Sequence, residues 1–458
     1  MNIGLFSLLG SLDNFLWGYA ALPAILFMGI YLTCKSRCLQ IRRFPQIIKY
    51  FFQTLTIEHH GHGVHPLKAF FVSIGGCMGV GNVVAVCTAI QVGGPGALLW
   101  IWITALVGMI LKYSEVYLGM RYRAPDGKGG YRGGPMYYLK KAYKQAWIPK
   151  LVCFLLCIYG VEIYQFCVVT ENISTNFEIN KYSVALLLIS LIIITSRKGV
   201  NHIGSIAAIF IPAFIVCYLG MSAYVFIQNI NLLPAVLKSI VESAFTGHAA
   251  LGAFVGSGIL LTASQGIRRS CYAGDIAVGY ASVIHSETVE AQPEKQAKLA
   301  IVEIFLDSFI ICTTSVMLVL TTDVWNKPIE ASMLVQEALS GYFPAMDIFM
   351  PLFLLLLGFT TIVSYFCSGI KCAEFMSPVY GRKVFYVYAC CSSLLFVSLQ
   401  TNEALTVISI TAALLLMLNL YGIFRLRHEI DFLLPSTETS EMASTITTPC
   451  LQVEHETT

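Results

Sequence analysis

The groups best placed to do chemistry in this 458-residue chain are backbone groups inside an apolar run, interrupted by Ser73-Ile74-Gly75-Gly76-Cys77-Met78-Gly79-Val80-Gly81-Asn82. Hydrocarbon offers no partner to a free N–H or C=O, so a helix breaks there only where the freed groups face protein or a watery cavity. The positive end of a half-helix can face a carboxylate, while unpaired carbonyls and nearby hydroxyls replace the water around a small cation. Gly79 and Gly81 let the backbone turn and approach a ligand without a side-chain clash. Asn82 supplies both an acceptor and a donor. A second interruption, Gly252-Ala253-Phe254-Val255-Gly256-Ser257-Gly258, lies five apolar runs further on, and Thr360 and Thr361 bring two hydroxyls to a later run. A lone Thr pair commonly bonds back to its own helix, and glycine clusters also serve close helix packing. It is the matched pair of breaks, with an Asn ending the first, that points to a transport site near the membrane midplane.

Covalent chemistry finds no support, because no ordered set of His, Asp or Cys supplies a nucleophile with its base or a closed metal site. The segment Glu58-His59-His60-Gly61-His62-Gly63-Val64-His65 is rich in a metal-binding residue. It falls in a connecting loop without closed ligand spacing and is not read as a metal site. The 15 cysteines are scattered, many within apolar runs, and imply no disulfide framework. Net charge is +3, with basic residues lying between apolar runs rather than along one face, which sets nucleic-acid binding aside.

The elements that must carry the two breaks follow from composition. Of the residues, 56% are hydrophobic and 12% charged, against about a quarter charged in soluble domains. Windows long enough to span a bilayer as helix centre on 14–34, 67–91, 96–118, 149–170, 182–196, 203–228, 248–264, 297–321, 346–370, 383–400 and 403–424, about eleven crossings. Basic residues alternate between loops. Arg42, Arg43, Arg121, Arg123, Arg268, Arg269, Arg382 and Lys383 fall in alternate connections or the tail, and only Lys181, Lys238 and Lys327 in the others. That alternation places the N-terminus outside and the C-terminus in the cytoplasm. Breaks five crossings apart enter from opposite sides, as in inverted repeats. The fold class expected is all-α integral membrane: an extra N-terminal helix (1–34), a cytoplasmic loop (35–66), two five-helix repeats (67–228 and 229–426) and a cytoplasmic tail (427–458) that is Thr- and Ser-rich and expected to be disordered from Ser436. The first run has neither basic residues before it nor a small-residue cleavage site after it, and reads as a retained helix rather than a signal peptide.

The stretch GVGNVVAVCTAIQVGGPGALLWIWITALVGMILKYSEVYLGMRYR from Gly79 to Arg123, followed by GGPMYYL from Gly133 to Leu139, resembles the alanine or glycine:cation symporter family. That family's pattern runs close to GTGNIAGVATAI, GGPGA, a Trp-rich helix ending K-x-x-E, and GGPMYY. Weaker matches continue from Phe305 to Leu320 and from Phe359 to Met376. The resemblance implies a leucine-transporter-like fold in a bacterial cytoplasmic membrane and sodium-coupled import of a small neutral amino acid (alanine, glycine or D-alanine), with no cofactor. It also implies site residues: Gly79, Gly81, Asn82, Gln165, Phe254, Gly256, Thr361 and Tyr365 for substrate, and Gly75, Met78, Thr360 and Thr361 for sodium.

This chain departs from the family at several positions. Ala273-Gly274-Asp275-Ile276-Ala277 stands where the family has SNEAG, Val80 replaces the Thr of GTGN, Ala85 a Gly, and Tyr365 the pocket Trp. Glu162 appears where Asn is common, three residues before Gln165. An ionisable group within a span is a functional candidate: it would carry a coupling proton or read a different substrate amine, or else it lines a vestibule or pairs with a neighbour. Lys112 and Glu115, at helical spacing, read as a surface or gate ion pair, and Asp307 as a structural or gating residue. The alternatives to the symporter are a proton-coupled carrier of another amino acid and a transporter-derived sensor or channel.

Overall fold

Long apolar stretches must close their backbone hydrogen bonds internally, and this chain does so as helix. The computed structural model describes residues 2–56, 64–127, 129–246, 255–399 and 401–432. The principal helices are α1 (Gly4–Lys35), α2 (Phe44–Thr56), α3 (Pro66–Cys77), α4 (Gly81–Gly93), α5 (Ala97–Arg121), α6 (Ile148–Tyr159), α7 (Ile163–Phe177), α8 (Lys181–Ser196), α9 (Gly199–Gln228), α10 (Val255–Gly274), α11 (Tyr280–His285), α12 (Pro293–Thr321), α13 (Met346–Met376), α14 (Gly381–Val397) and α15 (Thr401–Arg425). A small hairpin pairs β1 (Ala124–Pro125) with β2 (Tyr131–Arg132). Among the described residues seven helical spans are long and apolar enough to cross a membrane, and the bent pair α3–α4 makes up to eight. The protein is therefore a multi-pass membrane protein.

The broken helices lie at the centre. The buried helix α5 packs against α10 and α12, while α3 packs against α9 and α13. At the periphery, Leu186 and Leu187 on α8, Ile209 and Val216 on α9, and Val384 and Val387 on α14 are exposed. Exposed apolar faces of that extent suit contact with lipid.

The first break falls within the segment marked by its glycines: α3 ends at Cys77, α4 resumes at Gly81, and their axes differ by 42°. The second expected break lies at the edge of the described residues. Residues 252–254 lie outside the described residues, whereas Val255, Gly256 and Gly258 sit in the opening turns of a continuous α10. A separate interruption, not foreseen, lies between Gly274 and Tyr280, where Asp275, Ala277 and Gly279 take φ of +50°, +56° and +112°. Polar partners decide the position. Lys112 Nζ donates to the Gly274 carbonyl at 2.9 Å, and Asp275 Oδ2 accepts from Ala281 N at 3.1 Å.

A related correction concerns Arg268 and Arg269, read above as loop residues. Both lie in α10 and are buried, with Arg268 Nη1 2.7 Å from Asp13 Oδ2 on α1, so neither bears on sidedness. A third interruption, not foreseen, separates α6 from α7, where Glu162 adopts φ +50°. The His-rich segment, apart from Val64 and His65, and the tail from Ser436 lie outside the described residues.

One close approach outside the site gives a direct test of this packing. A Cβ on Gly96 would lie 2.2 Å from the Ala244 amide nitrogen in the helix Leu233–Thr246, whereas one on Gly220 would meet nothing within 4 Å. Gly96→Val is expected to destabilise by about 1–3 kcal/mol through overpacking and to lower the melting temperature in detergent, while Gly220→Ala leaves it unchanged or raised. Equal melting of the two variants would overturn this helix contact.

Candidate functional site

The interruption at Met78–Val80 frees backbone groups that other helices satisfy. Val80 N donates to Gln165 Oε1 on α7 at 3.0 Å, and Gly79 N donates to Asn82 Oδ1 at 3.1 Å. Thr361 Oγ1 on α13 donates to the Gly75 carbonyl at 2.7 Å. Glycine is required at 79 by close approach, because a Cβ there would lie 2.4 Å from Gln165 Oε1 and 2.6 Å from Thr361 Oγ1. Gly81 faces the Tyr272 ring, whose Cε1 would be 3.2 Å from a Cβ.

Asn82 lies on a widened turn, Gly81–Ala85, and meets a second widened turn, Phe305–Cys312, through its Nδ2, 2.5 Å from Asp307 Oδ1. Such turns accumulate at functional sites because they displace side chains from the regular helical track. Asp307 thus touches a candidate site residue directly, a closer role than the sequence suggested.

Of the residues implied for substrate, Gly79, Gly81, Asn82, Gln165 and Thr361 converge on this break. Tyr365 is buried one turn along α13 from Thr361, its ring 5.3 Å from Tyr159 and 4.0 Å from Tyr280. Gly256 is not brought there: it lies 16 residues before Tyr272 on α10, roughly 24 Å at the rise of a straight helix. Phe254 is outside the described residues. Of the residues implied for sodium, Gly75 and Thr361 are hydrogen-bonded and Met78 occupies the break. The Thr360 hydroxyl turns back to the Leu357 carbonyl at 2.8 Å.

A buried charge network underlies the site. Lys112 and Glu115 do not pair at a surface; both are fully buried, and Lys112 Nζ instead lies 3.0 Å from Glu303 Oε2 on α12. The same ammonium reaches Cys77 Sγ at 3.0 Å and the Gly274 carbonyl at 2.9 Å, touching both breaks. Glu303 also accepts from Ser73 Oγ at 2.9 Å and meets His285 Nε2 at 2.8 Å, while Gln296 Nε2 lies 2.7 Å from His285 Nδ1. Glu115 Oε1 accepts from Ser282 N at 3.2 Å. Glu162 and Asp275, also fully buried, each keep one oxygen without a hydrogen-bond partner. Charged residues inside apolar helices were the available signal for this network, but the pairing of Lys112 with a residue 191 positions away has no local signature.

Beside α13 a cavity of about 420 Å³ is lined in part by Arg132, Ser196, Glu287, Cys367, Lys371 and Arg382. Its rim carries ion pairs, Lys371 with Glu287 and Arg382 Nη2 with Glu374 Oε1 at 2.6 Å. Its lining residues on α13, Cys367, Ile370, Lys371 and Glu374, lie beyond Tyr365 along that helix.

Comparison with known proteins gives a consistent result. Residues 3–439 match the model of the sodium:alanine symporter family. An uncharacterized transporter of Haemophilus influenzae is 29% identical over 387 residues, covering 83% of this chain and 84% of its own length. A sodium/alanine symporter of Methanococcus maripaludis is 25% identical over 392 residues, covering 83% and 86%. A probable sodium/glutamine symporter of Bacillus subtilis is 27% identical over 388 residues, covering 83% and 79%. Among solved structures, a manganese transporter of Eremococcus coleocola aligns over 79% of each chain with a TM-score of 0.51 at 15% identity. That likeness concerns the fold alone.

Removing one partner of a buried ion pair costs about 3–5 kcal/mol, because the other is left uncompensated. Lys112→Met is therefore expected to lose much of its folded yield and melting temperature in detergent, and adding Glu303→Gln to recover part of both. A Lys112→Met variant as stable as the parent would show that the ammonium does not hold the two breaks.

Proposed function

Since the chain belongs to the sodium:alanine symporter family, we propose that it imports a small neutral amino acid, alanine, glycine or D-alanine, together with sodium by alternating access. The observation that carries this reading is the unwound segment Met78–Val80, braced by Gln165 from α7 and Thr361 from α13. The substrate carboxylate faces the freed N–H groups of Gly79 to Asn82, with Gln165, Thr361 and Tyr365 completing the pocket on the α7 and α13 sides. Tyr272 on α10 faces Gly81 and lines the remaining side.

Sodium sits among the carbonyls of Gly75 and Met78 and the hydroxyls of Thr361 and Thr360. Oxygen-only ligation suits a hard cation. The Thr361 hydroxyl already reaches the Gly75 carbonyl, so the two oxygens are within the spacing that one small ion could bridge.

Counting α8, the pair α10–α11 and α14 as crossings brings the spans to eleven. The first proposed five-crossing half then opens with the broken helix α3–α4, and the second, from 229, with the break expected at 252–258 between the helix Leu233–Thr246 and α10. This supports an inverted repeat following an extra first helix, with the N-terminus outside and the C-terminus in the cytoplasm of a bacterial inner membrane. The charged cavity beside α13 then lies on the cytoplasmic side and serves as the release vestibule, and rocking of one bundle against the other exposes the site to each face in turn.

Purified protein in liposomes is expected to accumulate labelled alanine or glycine when an inward sodium gradient is imposed and not without one. Asn82→Ala and Gln165→Ala should each reduce the initial rate by at least about tenfold while preserving the elution profile of the folded protein, since each removes a hydrogen bond that holds the break. Normal uptake by either variant would show the pocket to be misplaced. Accumulation driven by a proton gradient alone would replace sodium with protons and assign the coupling to Glu162.

A further inference from the structure

Five fully buried carboxylates, Glu115, Glu162, Asp275, Glu303 and Asp307, surround the two breaks, with Lys112 the fully buried ammonium among them. Lys112 acts electrostatically on Glu115, Asp275, Glu303 and Asp307. It does not reach Glu162, on which the Tyr272 hydroxyl and the Gln165 side chain act instead. Of the two arginines of α10, Arg268 is bound by Asp13, and Arg269 faces Tyr164, Tyr272 and Asp13 with Nε and Nη1 lacking hydrogen-bond partners, and forms no ion pair with Glu162. Glu162 Oε2 accepts from Tyr272 Oη at 2.8 Å, and Oε1 has no hydrogen-bond partner. A buried carboxylate without a counter-charge costs several kcal/mol, a cost that a ligand carrying a positive group removes when it binds.

The surroundings suit such a group. The Tyr159 ring lies edge-on to Tyr272 and Tyr365, with centroids 6.4 Å and 5.3 Å away. Its hydroxyl is fully buried beside that of Tyr365, within electrostatic reach of both Glu162 and Asp275. Aromatic faces attract ammonium groups, most strongly where water is excluded. A single ring, that of Tyr272, separates Gly81 at the break from Glu162.

We propose that Glu162, with Tyr159 and Tyr272, forms a subsite for an ammonium group at the end of a short side chain, so that a small diamino acid is preferred over a neutral amino acid of the same size. This rests on the Gly79–Asn82 break being the substrate site and narrows it: the pocket admits small neutral amino acids, and charge at the side-chain tip ranks them.

The test is competition against sodium-driven labelled alanine uptake in liposomes, comparing 2,4-diaminobutyrate with norvaline, which has a methyl group in place of the ammonium. A charge-assisted hydrogen bond contributes about 1.5–3 kcal/mol, so diaminobutyrate is expected to compete about tenfold or more better. Glu162→Gln should bring the ratio of the two inhibition constants to within about threefold of one. Equal competition by the two compounds in the parent protein would overturn the subsite, as would a preference that survives Glu162→Gln. Should that variant fail to fold, thermal stabilisation of the parent protein in detergent reads the same ranking: a larger shift with diaminobutyrate supports the subsite, and equal shifts refute it. Asn82→Ala separates the two readings, because its transporting alanine normally would remove the substrate site itself, whatever the ranking of the two competitors.

Discussion

The ammonium group of Lys112 is the point on which the core of this molecule depends. An ion placed in the interior of a membrane protein must find partners there. Lys112 finds three on separate elements: Glu303 on α12, the Cys77 sulfur at the end of α3 and the Gly274 carbonyl at the end of α10. Each contact holds one of the two interrupted helices, or the helix behind them, within hydrogen-bond reach of α5. Glu303 extends the hold through Ser73 and His285, so that α3, α5, α11 and α12 share one polar knot. The two breaks are consequently held relative to each other, a requirement for any site built from both.

Around that knot the backbone accounting is largely met by side chains, three of the four below from distant parts of the chain. The Val80 amide is satisfied by Gln165, the Gly75 carbonyl by Thr361, the Gly274 carbonyl by Lys112 and the Ala281 amide by Asp275. Backbone in hydrocarbon has no water to fall back on. A conformational change that exposed the breaks to one face must therefore exchange these partners for others, and a carboxylate and a cation are suitable replacements. The proposed symport mechanism uses that exchange: substrate and ion take over bonds that the protein makes to itself when they are absent.

The same core carries more acidic than basic groups, and this bears on coupling. Lys112 serves four of the five fully buried carboxylates, and the remaining negative charge favours any positive charge that enters with the cargo. A sodium ion and an ammonium group both meet that condition. The proposed roles of the break as a cation site and of Glu162 as a side-chain reader are thus two consequences of one electrostatic imbalance.

Much of this was legible in the sequence. Apolar runs of membrane length required helices, because no other open structure satisfies its backbone in lipid. The glycine-dense segment ending in Asn82 located the first break, since close approach at Gly79 excludes any Cβ. Family motifs named Gln165 and Thr361 as its neighbours. Glycine density also pointed to a break at 252–258, of which 252–254 lie outside the described residues. What the sequence missed was the turn at Gly274 to Gly279, next to Lys112 and Asp275. Glycine content records where a backbone can bend, and the turn after Gly274 forms where polar groups meet the freed backbone. Lys112 with Glu303 and Asn82 with Asp307 depend likewise on long-range packing. Local pattern determined which segments are helices and which residue types could serve a site; only the tertiary structure decided which charges face each other, because pairing in a low-dielectric interior is set by distances between helices far apart in the chain.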